Sequence, residues 1–312
     1  MTGVSFALVN FVTGGPILDL PINTGASWAT QLNRADSLSC EIDCRDPEAL
    51  APDLPSATEP KKTVLLARTD DDIVLAWGLI DERTWNEEDY TLSIDASGVL
   101  TSYFGRTIIG PAAALTAPLI TLDPEGFPVI NPALDTNLAG LSLGTIGKRL
   151  VEQRLAWPGA PTAFILPPDE AAINERNYLF SSLKTIGSAL TDLTGVENGP
   201  DFAFDAQRAP DGLSLEYRLR HGSAANPRIG TDAGVWALDE LTPIQGLKVT
   251  DSGEDLGSTA WLTAGRTSGA ALVSRTHNAD LVNLSGYPPI DLVDTSHSDV
   301  SVQATLDAYG AE

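Results

Sequence analysis

The tightest constraint on what this chain can fold into is a series of short apolar runs at strand spacing, with turn residues and no helix between them. Val64-Leu65-Leu66-Ala67-Arg68 ends at the polar stretch Thr69-Asp70-Asp71-Asp72, and Ile73 through Ile80 then returns. That pattern predicts a β-hairpin. Tyr90, Leu92 and Ile94 alternate with Thr91 and Ser93, which predicts a strand with one buried face and a turn over 95–98. Repeated without helices, such runs predict an antiparallel sandwich or barrel over residues 1–109. Trp77 and Trp85 are expected there as core or rim anchors.

The period then changes. From Pro111 to about Pro132 the chain loses periodicity and gathers Pro, Gly and Ala, so a linker or excursion is expected. Leu143, Ile146, Leu150 and Leu155 fall at helical spacing, with Lys148, Arg149, Glu152 and Arg154 largely off that face, until Trp157-Pro158-Gly159 stops the helix. A second helix is expected from about Tyr178 to Leu193, on the stripe Phe180, Leu183, Ile186, Leu190 and Leu193, with Gly195 as its C-cap. An exposed loop over 167–170 separates the two. After Gly199 the period returns to two: Phe202 and Phe204 share a face, 210–212 turns, and Leu213, Leu215, Tyr217 and Leu219 line the return strand. Further strand-like runs cover 244–250, 258–264, 270–274 and 300–306, with a turn over 251–255. The expected architecture is α+β, mainly β: a β domain over 1–109, a linker and two-helix segment over 110–199, and a β domain over 200–312.

Charge removes several function classes. Nineteen Lys and Arg against 42 Asp and Glu leave a formal charge of −23. A chain with no cationic excess cannot release counterions from DNA, and anionic membrane surfaces repel it for the same reason. Solubility accounts for such a charge, and so does a wall that DNA passes without sticking. The two cysteines, Cys40 and Cys44, would be about 13 Å apart if they share one extended strand, too far for a disulfide. His221, His277 and His297 are remote from them, so no metal site is expected. The first residues lack a basic segment and meet Asn10 and Thr13 early, and no apolar run approaches a membrane span, so folding in the cytosol is expected.

One catalytic pattern occurs. Gly140-Leu141-Ser142-Leu143-Gly144 fits G-x-S-x-G, with acids and histidines downstream in hydrolase order. That chemistry needs a buried parallel strand before the serine, and the residues over 131–138 do not read as one, so Ser142 is expected as a helix N-cap. Residues 251–255 match a calcium loop poorly, because Gly253 stands where a side-chain oxygen is required. Cys40 beside Glu41 has the wrong electrostatics for a nucleophile. The runs 70–72 and 87–89 are expected as solvated acidic loops. No catalytic residue, cofactor or metal is expected.

The strand Ala76-Trp77-Gly78-Leu79-Ile80 is followed by the run Leu100-Thr101-Ser102-Tyr103-Phe104-Gly105-Arg106-Thr107-Ile108. After the helical stretch come Gly199-Pro200-Asp201-Phe202-Ala203-Phe204-Asp205 and, at the end, Val300-Ser301-Val302-Gln303-Ala304-Thr305-Leu306-Asp307-Ala308-Tyr309. In pattern and order this resembles minor tail proteins of long-tailed phages of actinobacteria, of the tail-tip (baseplate) hub family. The resemblance covers nearly the whole chain and rests on no single motif. It implies two tail-tube-like β-barrel or sandwich domains with an interposed helical segment, assembled as a homotrimer in the virion tail tip. It also implies the partners: a distal tail or tube protein above, fibre or spike proteins below, and the tape-measure protein. DNA would pass the channel without specific binding. Relatives often continue beyond the last run, so no receptor-binding or enzymatic extension is expected here. In such a subunit the site is an interface, for which Trp28, Trp85, Trp236 and Trp261 are candidates. A core position is the first expectation for each of the four. A carbohydrate-binding adhesin module, a distal tail ring protein and a Ser142 hydrolase are the competing readings.

Overall fold

The computed structural model describes residues 4–20, 24–34, 36–45, 53–229, 259–267, 270–280, 284, 291–297, 300 and 302–310. They fall in two compact units, Met1–Ala233 and Gly234–Glu312.

The first unit is built on one seven-stranded sheet: β1 (Val4–Asn10), β2 (Pro16–Leu20), β3 (Thr24–Ala29), β4 (Ser37–Asp43), β5 (Thr63–Thr69), β6 (Val74–Asn86) and β7 (Thr91–Ser97). All pairings are antiparallel, in the order β2-β1-β5-β6-β7-β4-β3. The sheet curls. Phe6 of β1 meets Trp28 of the far edge strand β3 edge-on at 6.0 Å between ring centroids. No hydrogen bonding joins β2 to β3 among the described residues, so the sheet stays open rather than closing into a barrel.

Both faces of its central strands are buried, which is why they read as continuous apolar runs. Phe6, Leu8, Leu65, Ala67, Ala76 and Ile80 point into the curl with Leu38, Cys40, Ile42, Leu92 and Ile94. Their neighbours Ala7, Val9, Val64, Leu66, Trp77 and Leu79 point the other way, into a second core. Midway along β6 an extra residue, Asp81, bulges out of register and bonds Lys61 and Ser97. A short helix, α1 (Leu54–Ala57), places Leu54 in the inner core.

The second core is covered by α3 (Leu143–Leu155), α4 (Ile186–Thr194) and a three-stranded sheet of β11 (Phe164–Ile165), β13 (Phe202–Arg208) and β14 (Leu215–His221). Trp77 stacks on Tyr217 at 4.6 Å and donates from Nε1 to the Phe204 carbonyl at 3.0 Å. The N-terminal sheet, the helical stretch and the first strands after Gly199 therefore share one interior. Ser142 caps α3, its Oγ accepting the Thr145 N–H at 3.1 Å, and Thr185 caps α4 likewise at 3.2 Å. Gly147 lets the Phe202 ring lie against the α3 backbone, since a Cβ there would fall 2.3 Å from Phe202 Cζ.

Several expectations need correction. Tyr90 is exposed and precedes β7, and β7 runs on through the stretch expected to turn at 95–98. The run from Leu100 is helical: α2 (Val99–Ser102) and a 3-10 turn over Phe104–Arg106. Lys148 is buried on α3 rather than off its apolar face, because Glu152 at 3.2 Å and Asp169 at 3.0 Å neutralise its ammonium. The second helix starts eight residues later than expected. Ala171–Tyr178 is instead a strand, β12, paired with β10 (Thr136–Leu141), and left-handed Leu183 (φ 46°) separates it from α4. Leu183 and Leu213 are consequently exposed, the latter in the turn before β14. The residues between Pro111 and Pro132 hold a small hairpin, β8 (Ile120–Leu122) and β9 (Pro128–Ile130).

The second unit contains β15 (Thr259–Thr267), β16 (Ala270–His277) and β17 (Asp291–His297), ordered β16-β15-β17, with β17 parallel to β15. The expected strand over 300–306 is corrected to a helix, α5 (Gln303–Tyr309), whose Leu306 is fully buried. The runs at 244–250 and 251–255 lie outside the described residues.

Candidate functional site

The four tryptophans expected first in the core divide differently. Trp28, Trp85 and Trp261 are 40%, 51% and 38% exposed, while Trp236 lies outside the described residues. Trp28 sits on the open edge strand β3. Trp85 stands at the projecting end of β6, edge-on to exposed Tyr90 at 6.4 Å. These three rings are therefore partly at the surface rather than wholly in the interior, Trp28 against Phe6 and Trp261 under the Arg275 guanidinium at 5.9 Å.

A larger apolar surface was not singled out by the sequence reading. In β8 and β9 the pairs Ile120–Ile130 and Leu122–Pro128 share one face, and all four residues are exposed. Thr121 and Val129, on the opposite face, are the more covered ones. The hairpin thus turns its apolar side outward. Leu115, Leu119 and Phe127, beside the strands, are exposed as well, so that these three with Ile120, Leu122 and Ile130 are between 44% and 67% exposed. The exposed side chains of the segment sum to on the order of 600 Å² of apolar area. The segment is nonetheless well tied. The Asn131 N–H donates to the Leu119 carbonyl at 2.9 Å and its Nδ2 to the Pro118 carbonyl at 2.8 Å. The Asp123 carboxylate accepts the Phe127 N–H at 2.7 Å, and Gly126 takes the left-handed conformation the turn demands (φ 88°). Trp157 Nε1 anchors the approach at the Gly110 carbonyl, 3.1 Å away.

The nucleophile candidates are occupied or suppressed. A strand, β10, precedes Ser142, but it is not the buried parallel strand that hydrolase chemistry needs: most of it is not buried, and among the described residues its sheet partner is antiparallel β12. Ser142 is buried, and its Oγ accepts from the Thr145 N–H and lies 3.0 Å from Thr145 Oγ1. His221 packs on Gly144, yet its Nδ1 lies 2.8 Å from the Gly222 carbonyl and its buried Nε2 has no hydrogen-bond partner. Neither ring nitrogen bonds Ser142. Cys40 and Cys44 are free and buried. Burial, and then Asp95, push the Cys40 thiol up to about 12, and burial also raises Cys44. Among the described residues no group of three or more His, Cys, Asp or Glu is placed to hold a metal ion, and no helix is long and apolar enough to cross a membrane.

No family model matches the chain, and no curated protein matches it. Among solved structures it is similar to a tail protein from Neisseria meningitidis, at 14% identity and a TM-score of 0.49, over 98% of this chain and 74% of that one. It is also similar to the 43 kDa tail protein of prophage MuSo2 from Shewanella oneidensis, at 12% identity and a TM-score of 0.44, over 99% and 73% of the two chains. A prophage tail protein from Listeria monocytogenes follows, at 8% identity and a TM-score of 0.42, over 96% and 74%.

Proposed function

We propose that this chain is a structural subunit of the tail tip of a long-tailed phage. In this reading it is a hub that caps the tail tube, meets the tape-measure protein and carries fibres or a spike. The pattern and order of the sequence suggest the class. The observation that carries the reading is the outward apolar face of the β8–β9 hairpin on a unit that already has two complete cores. A two-stranded hairpin is at best marginally stable alone in water, and apolar surface of this size marks a contact with another chain. The open edges β2 and β3 add unpaired backbone groups and Trp28 to what neighbours can cover. A homotrimer with the acidic surface toward a DNA channel is the arrangement proposed, and the strands over 202–221 belong with the N-terminal sheet rather than with a separate module over 200–312.

Stoichiometry tests it, by native mass spectrometry of the full chain and cryo-electron microscopy of particles that contain it. A trimer at a tail tip supports the hub. A hexameric ring moves the chain up to the distal tail. A monomer at every concentration, absent from particles, overturns the reading. The exposed Trp85–Tyr90 pair favours one alternative, an adhesin stacking sugars on aromatic rings. Specific binding on a glycan array that is lost in Trp85→Ala would establish that instead.

A further inference from the structure

The outward hairpin has a matching surface elsewhere on the first unit. A groove of about 750 Å³ runs between the loop after β3 and one side of α4, where Leu32, Arg34, Arg106, Ser188, Thr191 and Thr194 face it. Its floor is closed by close backbone approach: a Cβ on Gly187 would fall 2.6 Å from the Leu100 carbonyl oxygen. Arg34 and Arg106 are both exposed, and among the described residues neither makes an ion pair and no carboxylate lines the groove. In a chain carrying −23 this is an unusual place for two free cations. The adjoining cavity shares Arg34 and contains Asp36 and Asp205, but those acids are engaged: Asp36 accepts the Gln31 N–H at 2.8 Å, and Asp205 pairs with Arg220.

The hairpin has the opposite character. No Lys or Arg occurs between Arg106 and Lys148, and the turn of the hairpin carries Asp123 and exposed Glu125, flanked by exposed Leu122 and Phe127. Leu32 at the groove rim is itself 48% exposed. We infer that the β8–β9 hairpin of one chain docks into the Arg34–Arg106 groove of a second copy. Glu125 lies between the two guanidinium groups, and Leu122 and Phe127 cover Leu32. This rests on the assembly reading above and gives it a specific contact. The two surfaces lie on different parts of one chain, so the contact is head-to-tail, the type that closes into a ring when the rotation per subunit permits. Charge complementarity selects the register, and the apolar flanks supply the buried area.

The test is sedimentation velocity of the full chain over a wide concentration range. Variants are Glu125→Arg, Arg34→Glu with Arg106→Glu, and the combined swap, each checked for native circular dichroism and thermal unfolding. Glu125 serves because it is exposed, whereas Asp123 holds the turn. Either reversal alone is expected to weaken self-association by about tenfold or more, and the swap to restore it to within about threefold of the original. Self-association that none of the variants alters overturns the docking and leaves the assembly reading intact. Reversals that weaken association without rescue by the swap also overturn it, since they would report loss of fold or of a different contact. A wild-type chain that never self-associates overturns it too, and its presence in particles then decides the assembly reading separately.

Discussion

Asp201 joins three segments of the first unit, and its removal has a calculable cost. Its buried carboxylate accepts from Asn33 Nδ2 at 2.7 Å and Arg228 at 3.0 Å through Oδ1, and from the Ile229 N–H at 3.0 Å through Oδ2. Asn33, held in the left-handed region at φ 60°, returns the contact by accepting the Phe202 N–H at 2.7 Å. For Asp201→Ala the Arg228 contact counts for little, because that side chain is about half exposed and regains water. The Asn33 and Ile229 donors each lose a charge-assisted bond in a partly buried setting, so the expected loss is about 2–3 kcal/mol. That corresponds to a fall in Tm of about 4–10 °C for a unit of this size. Asp201→Asn is expected to cost as much. An amide has one acceptor oxygen, so whichever way it turns its NH2 meets a donor. Burial pushes the Asp201 carboxyl up, but Asn33, the Ile229 N–H and Arg228 more than offset this and hold it below the ordinary range. A depressed folded-state value stabilises above the unfolded-state value and is lost as pH falls through the folded one. The gap between wild type and Asp201→Asn should therefore be constant from about pH 5 to 8 and narrow below about pH 4. Urea unfolding followed by circular dichroism measures it. An asparagine variant within about 0.5 kcal/mol of wild type at pH 7 would refute the two-acceptor argument.

Two further outcomes follow from packing around α3. Gly147→Ala should destabilise by about 1–2 kcal/mol in urea unfolding, although alanine is the better helix former, because the new methyl meets the Phe202 ring and Leu190 Cδ2 at 2.8 Å or less; an unchanged or raised midpoint would show that Phe202 can move aside. Ser142→Ala should cost about 1–2 kcal/mol through loss of the cap, and a fluorophosphonate probe should leave wild-type Ser142 unlabelled; labelling at that residue would reopen hydrolase chemistry.

The parts of the fold legible in the sequence are those where burial imposes a period. The hairpin of β5 and β6 reads as continuous apolar residues because Leu65 and Ala67 fill one core while Val64 and Leu66 fill the other. Leu92 and Ile94 alternate with polar residues because β7 buries one face. The stripe Leu143, Ile146 and Leu150 gives α3 for the same reason. Where burial is thin the signal vanishes. β12 reads Ala-Ala-Ile-Asn-Glu-Arg-Asn-Tyr, and its most apolar residue, Ile173, is almost wholly exposed. In α5 Leu306 alone is fully buried. Lys148 lies inside the helix stripe because Glu152, four residues on, and Asp169, 21 residues away, both pair with it, and the second partner leaves no mark in the local sequence. The hairpin over 120–130 reads as linker because each strand has three residues and its apolar face has no partner among the described residues. Arg34 and Arg106 could not have been linked at all: 72 positions separate them, and only the packing of α4 brings both to one groove.

The charge and the outward apolar face act over different distances, and that difference shapes any contact between copies. At physiological ionic strength repulsion between two chains of −23 is screened beyond about 8 Å, so it opposes approach only in the last steps. Over those steps the excess of acid disfavours every docking that brings acid to acid. The β8–β9 face offsets this with apolar area, at roughly 25 cal/mol for each Å² covered, provided its own acidic turn meets a cation. Among the described residues the groove beside α4 offers two such cations with no acid lining it. Repulsion elsewhere thus acts as specificity. It leaves the apolar hairpin soluble on a free chain and penalises its association with most of the surface of another copy, so that a correct contact is selected by what surrounds it as much as by what it buries.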